Sequence, residues 1–153
     1  MTQATQALPH WDMTVVYPGL DSPEFEQGFN AITQDIGLLA ELFDTHGIAK
    51  REHDPLDEDT VQTFETIIAR YNEVLDETHV LIAYLYCLVS TDSRDDAAQA
   101  RMSALQNQTM RLSQLGTRLT AWLGTLDVDS LVERSEIARA HGYSLRRAKV
   151  EAE

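Results

Sequence analysis

The chain has 153 residues, with 25 acidic and 12 basic side chains, a formal charge of −13, a 43 % hydrophobic content and one cysteine. That size fits a single domain with a core of its own. The negative field repels phosphate backbones, the lone cysteine excludes a disulfide framework, and no uninterrupted apolar run approaches the ~20 residues of a membrane span, so nucleic acid and membrane are set aside as partners. All four prolines lie before residue 56, so nothing from Leu56 onward interrupts helix, and an all-α fold is expected.

Residues 1–20 have no helical period. Leu8-Pro9-His10-Trp11 and Tyr17-Pro18-Gly19-Leu20 carry X-Pro and Pro-Gly pairs that mark extended chain and a turn. Trp11, Val15, Val16 and Tyr17 are too apolar for a free tail, so this segment is expected to be an extended arm lying on the helices of residues 21–153. Met1 to His10 lack both a positive n-region and an apolar run, which leaves the cytoplasm as the expected location.

Asp21-Ser22-Pro23-Glu24 predicts a helix start: a capping oxygen, a proline whose missing N–H costs nothing there, and an acid at the positive end of the dipole. Phe25, Phe29, Ile32, Ile36, Leu39 and Phe43 follow at helical steps, and Gly47 supplies the stop. Lys50 to Asp59, charged and containing Pro55, is expected to link helices. The clearest pattern is next: Val61, Phe64, Ile68, Tyr71, Leu75, Thr78, Ile82, Leu85 and Val89 alternate by 3 and 4, with a second row at Ile67, Val74, Leu81 and Leu88. So broad a stripe on one unbroken helix, about 58 to 90, packs against more than one neighbour. Asp92 or Ser93 is expected to cap the following helix, whose stripe runs Ala98, Met102, Leu105, Thr109, Leu112, Gly116, Leu119 and Leu123, flanked by Leu115 and Trp122. Gly116, costly in mid-helix, implies close approach of another helix. Ser130-Leu131-Val132-Glu133 has the form of a capping box, and one or two shorter helices are expected to finish the chain, interrupted near His141-Gly142. The expectation is an antiparallel bundle of three long helices with short C-terminal ones.

Chemistry is sparse. His10, His46, His53, His79 and His141 include no His-Glu-x-x-His pair, in which two imidazoles on one helix face would bind zinc. Asp76-x-x-His79 is a faint di-iron element, but such sites need it twice with further carboxylates in the core, so His79 reads as a flank residue. Glu52-His53-Asp54 reads as solvated linker, Asp57-Glu58-Asp59 as a favourable helix start, and Cys87, amid apolar neighbours, as a buried inert thiol. Tyr71, Tyr84 and Tyr86 read as core or interhelix packing, with a groove lining as the alternative. The chain has neither a Gly-rich phosphate loop nor a Gly-x-Ser-x-Gly elbow. No catalytic, cofactor-binding or metal-binding residue is therefore expected. Lys and Arg are absent before Lys50, whereas Arg134, Arg139, Arg146, Arg147 and Lys149 crowd the end, suiting the dipole of a last helix or an acidic surface that meets it.

The opening segment Leu8-Pro9-His10-Trp11-Asp12-Met13 and Val16-Tyr17-Pro18-Gly19-Leu20-Asp21-Ser22-Pro23-Glu24-Phe25 resembles the start of oligoendopeptidase F-type, thimet oligopeptidase-related zinc metallopeptidases, with Met13 and Val16 as mild departures. Tyr84-Leu85-Tyr86-Cys87-Leu88-Val89-Ser90-Thr91-Asp92 and His141-Gly142-Tyr143-Ser144-Leu145-Arg146-Arg147-Ala148 are weaker matches in the same order. The resemblance implies the helical N-terminal domain of such an enzyme, walling its substrate channel and limiting access to short peptides. It also implies that zinc and the catalytic residues belong to a further, catalytic domain that would be the partner of this one. On that reading this chain does not cleave peptides by itself and self-associates through the surface the partner would cover. The competing expectation is a stand-alone helical interaction module.

Overall fold

A computed structural model describes residues 12–51 and 56–151, and every regular element among them is helical. Three long helices, α1 (Pro23–Thr45), α2 (Glu58–Thr91) and α3 (Asp96–Leu123), are followed by α4 (Val128–Arg134), α5 (Glu136–Ala140) and α6 (Gly142–Glu151). Trp11 and Glu52-His53-Asp54 lie outside the described residues.

Local chemistry sets the ends of α1. Ser22 Oγ accepts from the Phe25 N–H at 3.2 Å, and Pro23 opens the helix. At the other end Gly47 turns the chain at φ 61°, a conformation in which a Cβ would be strained, and the Ile48 N–H returns to the Phe43 carbonyl at 2.8 Å. Arg51 donates to the His46 and Gly47 carbonyls at 2.9 and 2.8 Å, so a cation covers the negative end of the helix dipole.

Asp57 caps α2, accepting from the Thr60 N–H at 2.8 Å. That bond, with one from the Thr60 hydroxyl and the charge of Arg134, holds the Asp57 carboxyl below its usual range. A depressed folded-state value stabilises the fold above the ordinary carboxylate pKa and is lost as pH falls through the folded one. Asp57→Ala is therefore expected to melt below the parent at pH 7, with the gap closing below about pH 4, as thermal scans across that range would register.

Two caps fall elsewhere than expected. Asp92 ends α2 rather than starting α3, because its N–H bonds the Leu88 carbonyl; Asp95 caps α3, accepting from Ala98 at 2.9 Å. Asp127, not Ser130, starts α4: its carboxylate takes both the Ser130 N–H, at 3.3 Å, and hydroxyl, at 2.7 Å, so Ser130 is a donor inside the first turn. The tail holds three helices rather than one or two. Ser135 adopts an extended backbone between α4 and α5, accepts from the Ala138 N–H and donates to Glu65 at 2.6 Å, which splits the segment.

The core follows the stripes. Phe25, Ile36, Leu39 and Phe43 from α1, Phe64, Ile67, Val74, Leu81 and Leu85 from α2, and Leu105, Leu112, Leu115 and Trp122 from α3 are all buried. The second row of α2 is thus as deep as the first, which is why that helix meets both α1 and α3. Thr78 is buried in the seam but harmless, since its hydroxyl donates to its own Val74 carbonyl at 2.6 Å.

Polar pins fix the registers. Asp35 binds Arg70 at 2.5 Å, His46 Nδ1 lies 3.4 Å from the Thr63 hydroxyl, and Phe25 stacks near Tyr84 at 5.8 Å, so position rises along α1 as it falls along α2. Between α1 and α3 it rises together: Glu26 pairs with Arg101, and Asp44 with Arg118 at 2.8 Å. Arg101 also lies over the Phe25 and Phe29 rings, and Arg118 over Phe43 while donating to the Ile48 carbonyl.

Gly116 meets a side chain of another helix. A Cβ there would sit 2.7 Å from the Tyr71 hydroxyl but 3.7 Å from its Cζ. Removing the hydroxyl should therefore release the helix-propensity gain of alanine: Gly116→Ala in a Tyr71→Phe background is expected to raise unfolding free energy by about 0.5–1 kcal/mol, read from urea midpoints.

Candidate functional site

Leu8 to Trp11 of the segment that carries the resemblance lie outside the described residues, and from Asp12 onward the chain makes a turn. Asp12 Oδ1 accepts from the Thr14 N–H, and the Val16 and Tyr17 N–H groups bond the Met13 carbonyl. The expected burial of Val15 and Val16 is not found: they are 82 % and 41 % exposed, because the turn points them outward and Met13, Tyr17 and Leu20 inward. Tyr17 packs edge-on to Phe25 and Tyr84, with centroids 5.5 and 5.0 Å away, and its carbonyl accepts from the Tyr84 hydroxyl at 3.4 Å. Burial pushes the Tyr17 and Tyr84 phenols up, with Glu77 adding to the first, so both remain protonated donors.

The histidines do not gather. His46 sits at the end of α1 against Thr63, His79 and His141 are on exposed faces, and His10 and His53 are outside the described residues. Asp76 and His79 both face outward from α2, away from the core a di-iron element would need. Among the described residues no group of three or more His, Cys, Asp and Glu side chains converges as a metal site.

The described residues form several concavities, two of which bear on function. A groove of about 640 Å³ between α2 and α3 is lined by Lys50, Tyr71, Gly116, Thr117, Thr120 and Leu123. Burial raises the Tyr71 pKa, which makes it a neutral hydrogen-bond donor there rather than a base. A smaller pocket of about 300 Å³ gathers His46, Arg51, Asp59, Thr60, Thr63 and Trp122 where α1 hands over to α2. In the smaller pocket the Thr63 hydroxyl lies 3.4 Å from His46 Nδ1, a hydroxyl beside an imidazole.

Two residues differ from expectation on α2. Cys87 is exposed rather than buried, and Tyr86 is 65 % exposed rather than packed, because Tyr84 and Leu85 are the inward residues of that turn. Cys87 belongs to a surface stripe of Ala69, Glu73, Asp76, Val80, Ala83 and Cys87, spaced 4, 3, 4, 3 and 4 and all exposed, with Tyr86 beside it. The signal is legible in sequence as a third row, apolar at Ala69, Val80, Ala83 and Cys87 but interrupted by Glu73 and Asp76, and masked by the two stronger rows beside it. Helix α2 is also long and apolar enough to cross a membrane by length and composition, and only 28 % of its apolar stretch is buried. The C-terminal basic residues partly find acids within the chain: Arg134 bonds Glu58 at 3.1 Å and the Leu56 carbonyl, and Arg146 bonds Asp129 at 3.1 Å.

Comparison with protein-family models, curated proteins and solved structures yields no match to this chain.

Proposed function

We propose that this chain is the helical N-terminal domain of an oligoendopeptidase F-like zinc metallopeptidase of the cytoplasm, and that it walls and gates the channel through which short peptides reach a separate catalytic domain. The observation that carries the reading is the aromatic cluster: Tyr17 and Phe25, from the strongest stretch of resemblance, meet Tyr84, from the second, across 67 positions of sequence. Stretches that resemble one family and also pack together are what a shared structural role would require. In this reading the three long helices form an antiparallel bundle, supported by the falling order of α2 contacts along α1 and the rising order of α3 contacts. The chain binds and positions; bond cleavage and zinc belong to the other domain.

Reading the gene past the Glu153 codon tests this. An open frame reaching a His-Glu-x-x-His several hundred codons on, with chelator-sensitive cleavage of short peptides by the longer product, is the expected result. A stop codon directly after Glu153 would overturn it in favour of a stand-alone interaction module, a reading favoured by the exposed stripe of α2.

A further inference from the structure

Tyr17 is held the way a binding site holds a ligand residue. Its ring enters a slot between α1 and α2, edge-on to Phe25 at 5.5 Å and to Tyr84 at 5.0 Å, and the Tyr84 hydroxyl donates to its backbone carbonyl at 3.4 Å. The third wall is Gly28, on α1 three residues beyond Phe25. A Cβ there would stand 3.3 Å from the Tyr17 Cε1 and 2.9 Å from its hydroxyl. A glycine inside a helix is destabilising relative to alanine, and the three atoms nearest the space this one leaves all belong to Tyr17. The walls stand without Tyr17. Phe25 is fully buried and covered by Arg101, which pairs with Glu26, and the Asp35–Arg70 pair fixes α1 against α2. The segment that carries Tyr17 keeps its backbone bonds to itself: the Val16 and Tyr17 N–H groups bond the Met13 carbonyl, and the Ser22 N–H closes a turn on Gly19. Val15 and Val16 face solvent, so Met13, Tyr17 and Leu20 are its apolar anchors.

We propose that this slot is a recognition site for one aromatic residue of a peptide, a tyrosine or phenylalanine with its backbone carbonyl, and that residues 12–20 are a strap that fills it with the chain's own Tyr17 until such a ligand displaces them. The ligand ring takes the place of Tyr17 between Phe25 and Tyr84, with its edge over Gly28, and its carbonyl accepts from the Tyr84 hydroxyl. Burial, and after it the charge of Glu77, disfavours ionisation of the phenol now in the slot, so the site takes neutral rings and rejects a phosphorylated tyrosine. Because the strap must leave first, the affinity of the parent chain is reduced by the fraction of copies in which the slot is open. The inference rests on the slot and stands whether or not the chain serves a peptidase.

Titration of N-acetyltyrosinamide into the full chain, followed by amide chemical shifts, tests it, with circular dichroism and urea midpoints confirming that each variant folds. Tyr17→Ala empties the slot and leaves its walls in place. It is expected to bind the amide at least about tenfold more tightly than the parent does, with the largest shifts at Gly28 and Tyr84. N-acetylleucinamide and the phosphorylated tyrosine amide should not compete. Adding Gly28→Ala to Tyr17→Ala should abolish the binding, because the new Cβ fills the space over which the ring edge lies. Should Tyr17→Ala lose its fold, Leu20→Ser takes its place, since it loosens an anchor of the strap and leaves Phe25, Gly28 and Tyr84 untouched. Loss of fold in both would make the strap an inseparable part of the core and overturn the proposal. So would equal affinity in the parent and the opened variant, binding that survives Gly28→Ala, or a folded Tyr17→Ala chain that takes up no amide at the limit of its solubility.

Discussion

Phe25→Ala is expected to cost about 3–5 kcal/mol, the largest loss for any single truncation at the mouth of the helical core. The ring is fully buried, takes Tyr17 edge-on at 5.5 Å, lies 5.8 Å from Tyr84, and is covered by the Arg101 guanidinium. Deleting it leaves a cavity touched by the N-terminal turn, α2 and α3 at once. None of them can collapse into it freely, because Glu26–Arg101 and Asp35–Arg70 hold α1 in register on either side. A melting temperature lower by roughly 10 °C is expected for a chain of this size. Because Tyr17 loses its main support, its fluorescence should also become solvent-like in the folded variant. A loss below about 1 kcal/mol would mean that the aromatic cluster is not packed as described.

Val74→Asp and Val80→Asp make a contrasting pair on one helix. Val74 is fully buried in the second row of α2, so an ionised carboxylate there has no partner and must be desolvated, at a cost of several kcal/mol that should unfold the chain or force the group to stay protonated. Val80, six residues on, is 48 % exposed, and the same change should shift the unfolding free energy by only about 0.5 kcal/mol in dilute, monomeric samples. Acidification should partly rescue the first variant, since a raised folded-state value makes the penalty fall once the carboxyl is protonated, and should do nothing for the second. Equal effects at both positions would contradict the assignment of faces on α2.

The long helices are legible in the sequence because a repeated choice of residue type specifies them. One polar swap does not hide a 3–4 alternation sustained from Val61 to Val89, and Ser22, Pro23 and Gly47 punctuate α1 through chemistry local to those residues. The errors fall where two local solutions compete. Asp92, Ser93 and Asp95 can each cap a helix, and the choice of Asp95 depends on Asp92 already closing α2. Ser130 and Asp127 compete likewise, and the carboxylate wins both bonds. Cys87 and Tyr86 depart from the sequence expectation for another reason: apolar neighbours in sequence point to different sides of a helix, and the outward direction follows only from which faces of α2 meet α1 and α3. The groove beside Tyr71 was legible only through Gly116, whose missing Cβ leaves room for a phenol rather than for a backbone.

Under the proposed function this chain supplies walls and surfaces and leaves bond cleavage and zinc to a separate domain. The most direct test is metal analysis of the purified chain, after dialysis against zinc, together with hydrolysis of a mixed set of short peptides before and after a chelator. Zinc well below one ion per chain and no chelator-sensitive cleavage is the predicted result. One tightly held zinc per chain, with cleavage that the chelator abolishes, would contradict it.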